Sequence, residues 1–205
     1  MLIRVAGFCG ITSQVIGLIT LLVVISQSPW FSWTDNDLSV LGVMGSARHV
    51  FNFGLILVGA LSFIFAIGLG KSFLSEGRLG RAGIASLVLG SVAVSAMGIF
   101  PRNIDIPHDS ASLAFFIFTP IAIFLFGIRA VTIGQKIWGN LSLSAAILMI
   151  CLQLIPWPWP RGAIPQLLSG LSWSIWTSAL SINLLVKSIS PKITRNELDK
   201  KIADV

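Results

Sequence analysis

The sequence predicts an all-α integral membrane bundle of six spans with both termini in the cytoplasm, and three observations carry that reading. Of 205 residues, 55% are hydrophobic and only 11% charged, against about 25% charged in soluble domains. Six apolar runs, at about 5–27, 50–70, 79–100, 111–133, 136–156 and 163–187, are each long enough to cross a hydrocarbon core of about 30 Å as a helix. None alternates with the period of two and the frequent turns of a membrane barrel, so backbone groups in lipid must be satisfied within helices.

The first run follows Arg4 and resembles the apolar region of a signal peptide, but it is longer than the roughly 7–15 residues of such a region, and no A-x-A site follows it. It is therefore read as a retained span. The stretch "PWFSWTDNDLSVLGVMGSARHVFNFG", Pro29 to Gly54, separates it from the second run. The next connection, "KSFLSEGRLGR", is short and basic, as is the later "RAVTIGQK". Short links make consecutive helices antiparallel neighbours. In the third run Ala82, Ser86 and Gly90 recur every four residues, a small-residue stripe that lets another helix approach closely, either within the chain or in a second copy. A second polar break, "GIFPRNIDIPHDSAS", precedes the fourth run, where Asp109 is the N-cap candidate with Ser110 and Ser112 in the first turn. Pro120 removes one main-chain bond from that run and predicts a kink. Trp30, Trp33, Trp157 and Trp159 form an aromatic belt at one interface with Trp138 at the other, whereas Trp173 and Trp176 lie deeper in the sixth run and read as packing. Residues 1–188 make one six-span domain, and 189–205 a polar tail of mixed charge.

The net charge of +6 reflects topology rather than affinity for nucleic acid. Eleven of the fourteen Lys and Arg residues lie at the N-terminus, in the second and fourth connections or at the C-terminus, and only Arg48, Arg102 and Arg161 lie in the odd ones. That bias places both termini in the cytoplasm of a multi-pass cell-membrane protein whose partners are membrane lipids. Cys9 and Cys151 fall at opposite ends of their spans, too far apart for a disulfide.

No Lys, Arg, Asp or Glu falls at the middle of a span, which argues against ion-coupled transport. Gln14 and Asn183 are polar groups in the inner half, and a passive facilitator of a small neutral solute stays open. Chemistry concentrates at the outer ends. The candidate cluster is Asp37, Arg48, His49, Asn52, Arg102, Asp105, His108, Asp109 and Gln166. Three readings compete for it. It is a structural cap in which Asp35 or Asp37 pairs with Arg48; or it binds a lipid headgroup or small ligand; or His49, His108 and Asp109 hold zinc in a hydrolase acting on lipid. No HExxH or paired-histidine spacing supports the third, and no nucleophile elbow, phosphate loop, GxGxxG or haem-attachment pattern occurs. No cofactor is called for, and enzymatic activity stays an open question.

The segments "DLSVLG" (Asp37 to Gly42), "FNFGL" (Phe51 to Leu55), "MGIFP" (Met97 to Pro101) and "PHDSAS" (Pro107 to Ser112) resemble, in order and placement, the DUF998 family, a domain of unknown function in archaeal and bacterial membranes. The similarity extends over nearly the whole chain. It implies six spans and no established activity, so it carries no functional residues over. One departure is the entry to the sixth span, "RGAIPQLLSGLSW", where Gln166 is followed by Leu167 rather than by Arg.

Overall fold

A computed structural model of the chain describes residues 2–71, 76–159 and 162–189. The expected tail beyond residue 189 and the expected outer position of Arg161 lie outside them. The described residues form six long helices and no strand: α1 (Leu2–Ser26), α2 (Arg48–Leu69), α3 (Gly77–Ile99), α4 (Asp105–Thr132), α5 (Lys136–Leu154) and α6 (Ala163–Ile189). A short 3-10 helix, Leu38–Gly42, sits between α1 and α2. Each helix packs on the next in sequence, and α1 packs on α6, so the six close into a ring.

Five helices, α1 to α5, are long and apolar enough to cross a membrane. The expectation was six. α6 is as long as the others, but its hydropathy is lowered by Ser169, Ser172, Thr177 and Ser181, all of them buried inside the ring. From Leu168 to Val186 its exposed residues are apolar: Leu168, Leu171, Ile175, Ile182 and Val186.

The start of α4 differs from the expectation. The helix begins at Asp105, six residues before the expected 111, because Pro107 occupies the first turn, where its missing N–H has no partner to lose. Asp109 is consequently not an N-cap: it lies exposed in the second turn, and Ile104 holds the cap position without a side-chain bond. Asp105, in the first turn, is the carboxylate placed to favour the helix dipole. α4 continues as one helix through the buried Pro120.

Small residues let the neighbours approach. A Cβ on Gly59 or Gly98 would collide with Ser95 and with the Asn52 carbonyl respectively, which ties α2 to α3, and the Ser95 hydroxyl donates to the Ile56 carbonyl across the same seam at 3.1 Å. Within the predicted stripe, Gly90 is covered by Thr119 of α4, while Ala82 is exposed. Contact with a second copy through this stripe would therefore have only Ala82 and the half-exposed Ser86 to use.

In the half of the bundle that carries the N-terminus of α1, the ring interior is filled from mid-depth by Trp176. Its indole stacks on Phe126 at 5.9 Å, meets Phe65 edge-on at 6.4 Å, and donates from Nε1 to the Ser142 hydroxyl at 2.8 Å. Here α1 and α6 touch closely, Gly7 against Leu185 and Gly10 against Ser181. Farther along, the Ser174 hydroxyl donates to Gln14 Oε1 at 2.6 Å. Beyond that bond the two helices part: Leu18 is 54% exposed, Leu171 is 42% exposed, and a Cβ on Gly170 would meet nothing within 4 Å. The interior that Trp176 fills in one half is open in the other.

Candidate functional site: a capped cavity in the ring

The segment between α1 and α2 folds over the open end. Leu41 and Ala47 pack with Val24 and Phe51 to form a small apolar cluster of its own. Trp30, Phe31 and Trp33 stack edge to face beside it. Asn52, in the second turn of α2, donates through Nδ2 to the Gly42 carbonyl at 2.9 Å and so fixes the 3-10 helix.

Asp37 joins this cap to two other elements. Its Oδ1 accepts the Gly162 N–H at 3.0 Å, at the entrance of α6. Its Oδ2 pairs with Arg102 Nη1 at 3.2 Å, in the connection from α3 to α4. Arg102 also donates to the Ser39 hydroxyl at 3.3 Å. Gln166 accepts the Leu38 N–H through Oε1 at 2.9 Å, a bond that also assigns its amide orientation. His108 is 3% exposed and uses Nδ1 on the Phe100 carbonyl at 2.8 Å. Since a carbonyl only accepts, Nδ1 carries the proton.

Beneath the cap lies a cavity of about 240 Å³. Its cap-end rim is Ser39, Arg102, His108, Ser112 and Gln166. Its wall is apolar, with Phe51, Leu55, Val58, Phe115, Phe116 and Trp173 prominent. Gln14 and Ser174 make its floor, and both are engaged: besides accepting from Ser174, Gln14 donates from Nε2 to the Ser13 hydroxyl at 2.9 Å. Leu18, Gly170 and Leu171 also line it, so it reaches the outer surface of the ring between α1 and α6. A separate groove runs between α4 and α5, bordered by Asp109, Gln153 and Gln166.

The predicted cluster is thus divided. Asp37, Asn52, Arg102, His108 and Gln166 build the cap and rim. Arg48 and His49 are exposed and face one another, Arg48 Nε to His49 Nε2 at 3.3 Å. Among the described residues Asp37 pairs with Arg102 rather than with Arg48. Asp105 and Asp109 are exposed on α4. Among the described residues no three His, Cys, Asp or Glu side chains gather as a metal would need, so His49, His108 and Asp109 do not form the candidate zinc triad. The candidate cluster left out Ser39, Ser112 and the aromatic wall. The spacing of His108 and Ser112, one helical turn apart, was the one available signal that both face the same way.

A ring of long helices with an aromatic interior in one half and a polar cap over a cavity in the other defines a multi-pass helical membrane protein. The chain matches the family model described as "Protein of unknown function (DUF998)" over residues 11–183. It belongs to that family. No curated protein and no solved structure gives a match.

The four segments that resemble the family have distinct positions in this end of the fold. Asp37 and Gly42 belong to the first, Asn52 to the second, the Phe100 carbonyl to the third and His108 to the fourth. They lie between Asp37 and Ser112 in the sequence, and they build one cap.

Proposed function

We propose that this protein binds a membrane amphiphile, with its polar end at the rim of Ser39, Arg102, His108 and Gln166 and its chain against the aromatic wall. The observation that carries the reading is the cavity's polarity: one polar end, apolar sides, and an opening toward the bilayer between Leu18 and Leu171. Small-molecule pockets commonly measure about 300–1,000 Å³. A volume of about 240 Å³ suits a head and the first part of a chain, with the remainder passing between α1 and α6 into lipid. Passive solute passage draws no such support, because beyond the floor the interior is filled by Trp176, Phe65 and Phe126, each at most 1% exposed.

Gly170→Phe tests this reading. The new ring extends from a position with free space around its Cβ, and replacing a helical glycine by phenylalanine favours the helix by roughly a few tenths of a kcal/mol. Mass spectrometry of the gently purified wild type should find a co-purifying amphiphile at about one per chain. The variant should lose it while keeping or raising its melting temperature. Equal amphiphile content in both, or none in the wild type, refutes the proposal.

We further propose six crossings, with the cap extracytoplasmic. Support comes from the outward apolar face of α6 and from the basic connections at the opposite end. In intact cells, a cysteine at Asn103 should react with an impermeant maleimide and one at Gln135 should not; the reverse pattern refutes the orientation.

A further inference from the structure

The rim has polar groups left over, among them an acceptor on His108 and the amide donors of Gln166. His108 is nearly fully buried, lines the cavity and has Nδ1 committed to Phe100; its Nε2 has no hydrogen-bond partner among the described residues. With the proton on Nδ1 held by the Phe100 carbonyl, Nε2 is the acceptor of the ring. Gln166 has the complementary surplus. Its Oε1 is committed to Leu38, which leaves the two N–H donors of Nε2 at the same end of the cavity. The formal positive charge on the rim, Arg102, is met by Asp37, and among the described residues no Asp, Glu or Lys lines the cavity.

Resting on the amphiphile reading above, we infer that the head recognised is uncharged and carries a hydroxyl, which donates to His108 Nε2 and accepts from Gln166 Nε2. A hydroxyl is one donor and two acceptors on a single atom, which matches this pair of groups. An ester or ether oxygen uses Gln166 and leaves His108 Nε2 unpaired. A carboxylate or phosphate brings a charge that the paired Arg102 does not offset, and it has no proton for Nε2. The ligand class is a long-chain alcohol or a glycerolipid with a free hydroxyl.

Binding of four probes with equal chains separates the alternatives: dodecanol, monolauroylglycerol, dodecyl methyl ether and laurate, each titrated by calorimetry into the full chain in detergent. Dodecanol or monolauroylglycerol should bind about tenfold more tightly than the ether, the size of one hydrogen-bond mismatch at a buried site, and laurate no better than the ether. Whichever of the two hydroxyl probes binds more tightly identifies the source of the hydroxyl. His108→Asn supplies the second arm. Its Nδ2 stands in for Nδ1 on the Phe100 carbonyl but nothing replaces Nε2, so the chain should stay folded while the alcohol-over-ether preference falls to about one. Equal affinity of the wild type for alcohol and ether overturns the inference and leaves the amphiphile reading intact. Tightest binding of laurate overturns it as well, and failure of all four probes overturns both. If His108→Asn does not fold, the wild-type series decides alone.

Discussion

Trp176→Ala is expected to be among the most destabilising single substitutions in this chain, at about 3–5 kcal/mol, the usual range for removing a buried tryptophan. The indole is fully buried, stacked on Phe126 and bonded to Ser142. Between helices already in lipid there is little hydrophobic gain from association, so cohesion rests on packing and hydrogen bonds. Alanine here removes both from three helices at once: Phe65 of α2, Phe126 of α4 and Ser142 of α5 lose their shared neighbour. Unfolding by titration with sodium dodecyl sulfate measures the loss. A change below about 1 kcal/mol would mean that the ring is not held together at this point.

Asp37→Ala is expected to cost about 2–3 kcal/mol, most of it from the charge-assisted bond to the Gly162 N–H. The ion pair with Arg102 adds less, because that side chain is 36% exposed and water screens it. Asp37→Asn retains an acceptor for Gly162 and should lose about half as much. The damage should be local. Limited proteolysis is expected to open the segment of residues 27–47 in Asp37→Ala while α2 to α5 stay protected. Cleavage spread evenly along the chain would contradict the view of Asp37 as the junction of cap, α6 entrance and α3–α4 connection. Since the cap roofs the cavity, the same variant should also lose the co-purifying amphiphile.

The positions of five helices were legible to within a few residues, because a run of about 20 apolar residues has few other fates. The start of α4 was not, since Pro107 reads as a connection although proline suits a first turn. In α6 the run was visible, while its buried serines and Thr177 lower the hydropathy that marks a span. At the cap, residue types were legible and pairings were not. Arg48 is close to Asp37 in sequence, but among the described residues Asp37 pairs with Arg102, brought in by the hairpin of α3 and α4. The two histidines looked equivalent as residues. One lies open beside Arg48 and the other is buried against the Phe100 carbonyl, a difference made by which helix face each occupies. The cavity itself could not be read from sequence. It exists because α1 and α6 part beyond the Gln14–Ser174 bond, and an unfilled volume leaves no residue to mark it.

Photolabelling reports directly whether an amphiphile occupies this cavity. A long-chain alcohol carrying a diazirine near its head, reacted with the purified chain and mapped by peptide sequencing, should mark the α4 segment from Ser112 to Phe116 and the α6 segment from Leu167 to Trp173. Gly170→Phe should abolish both marks. Label confined to outward residues such as Leu22, Ile175 and Val186, at the same level in the wild type and the variant, would show lipid contact without occupancy and would contradict the account.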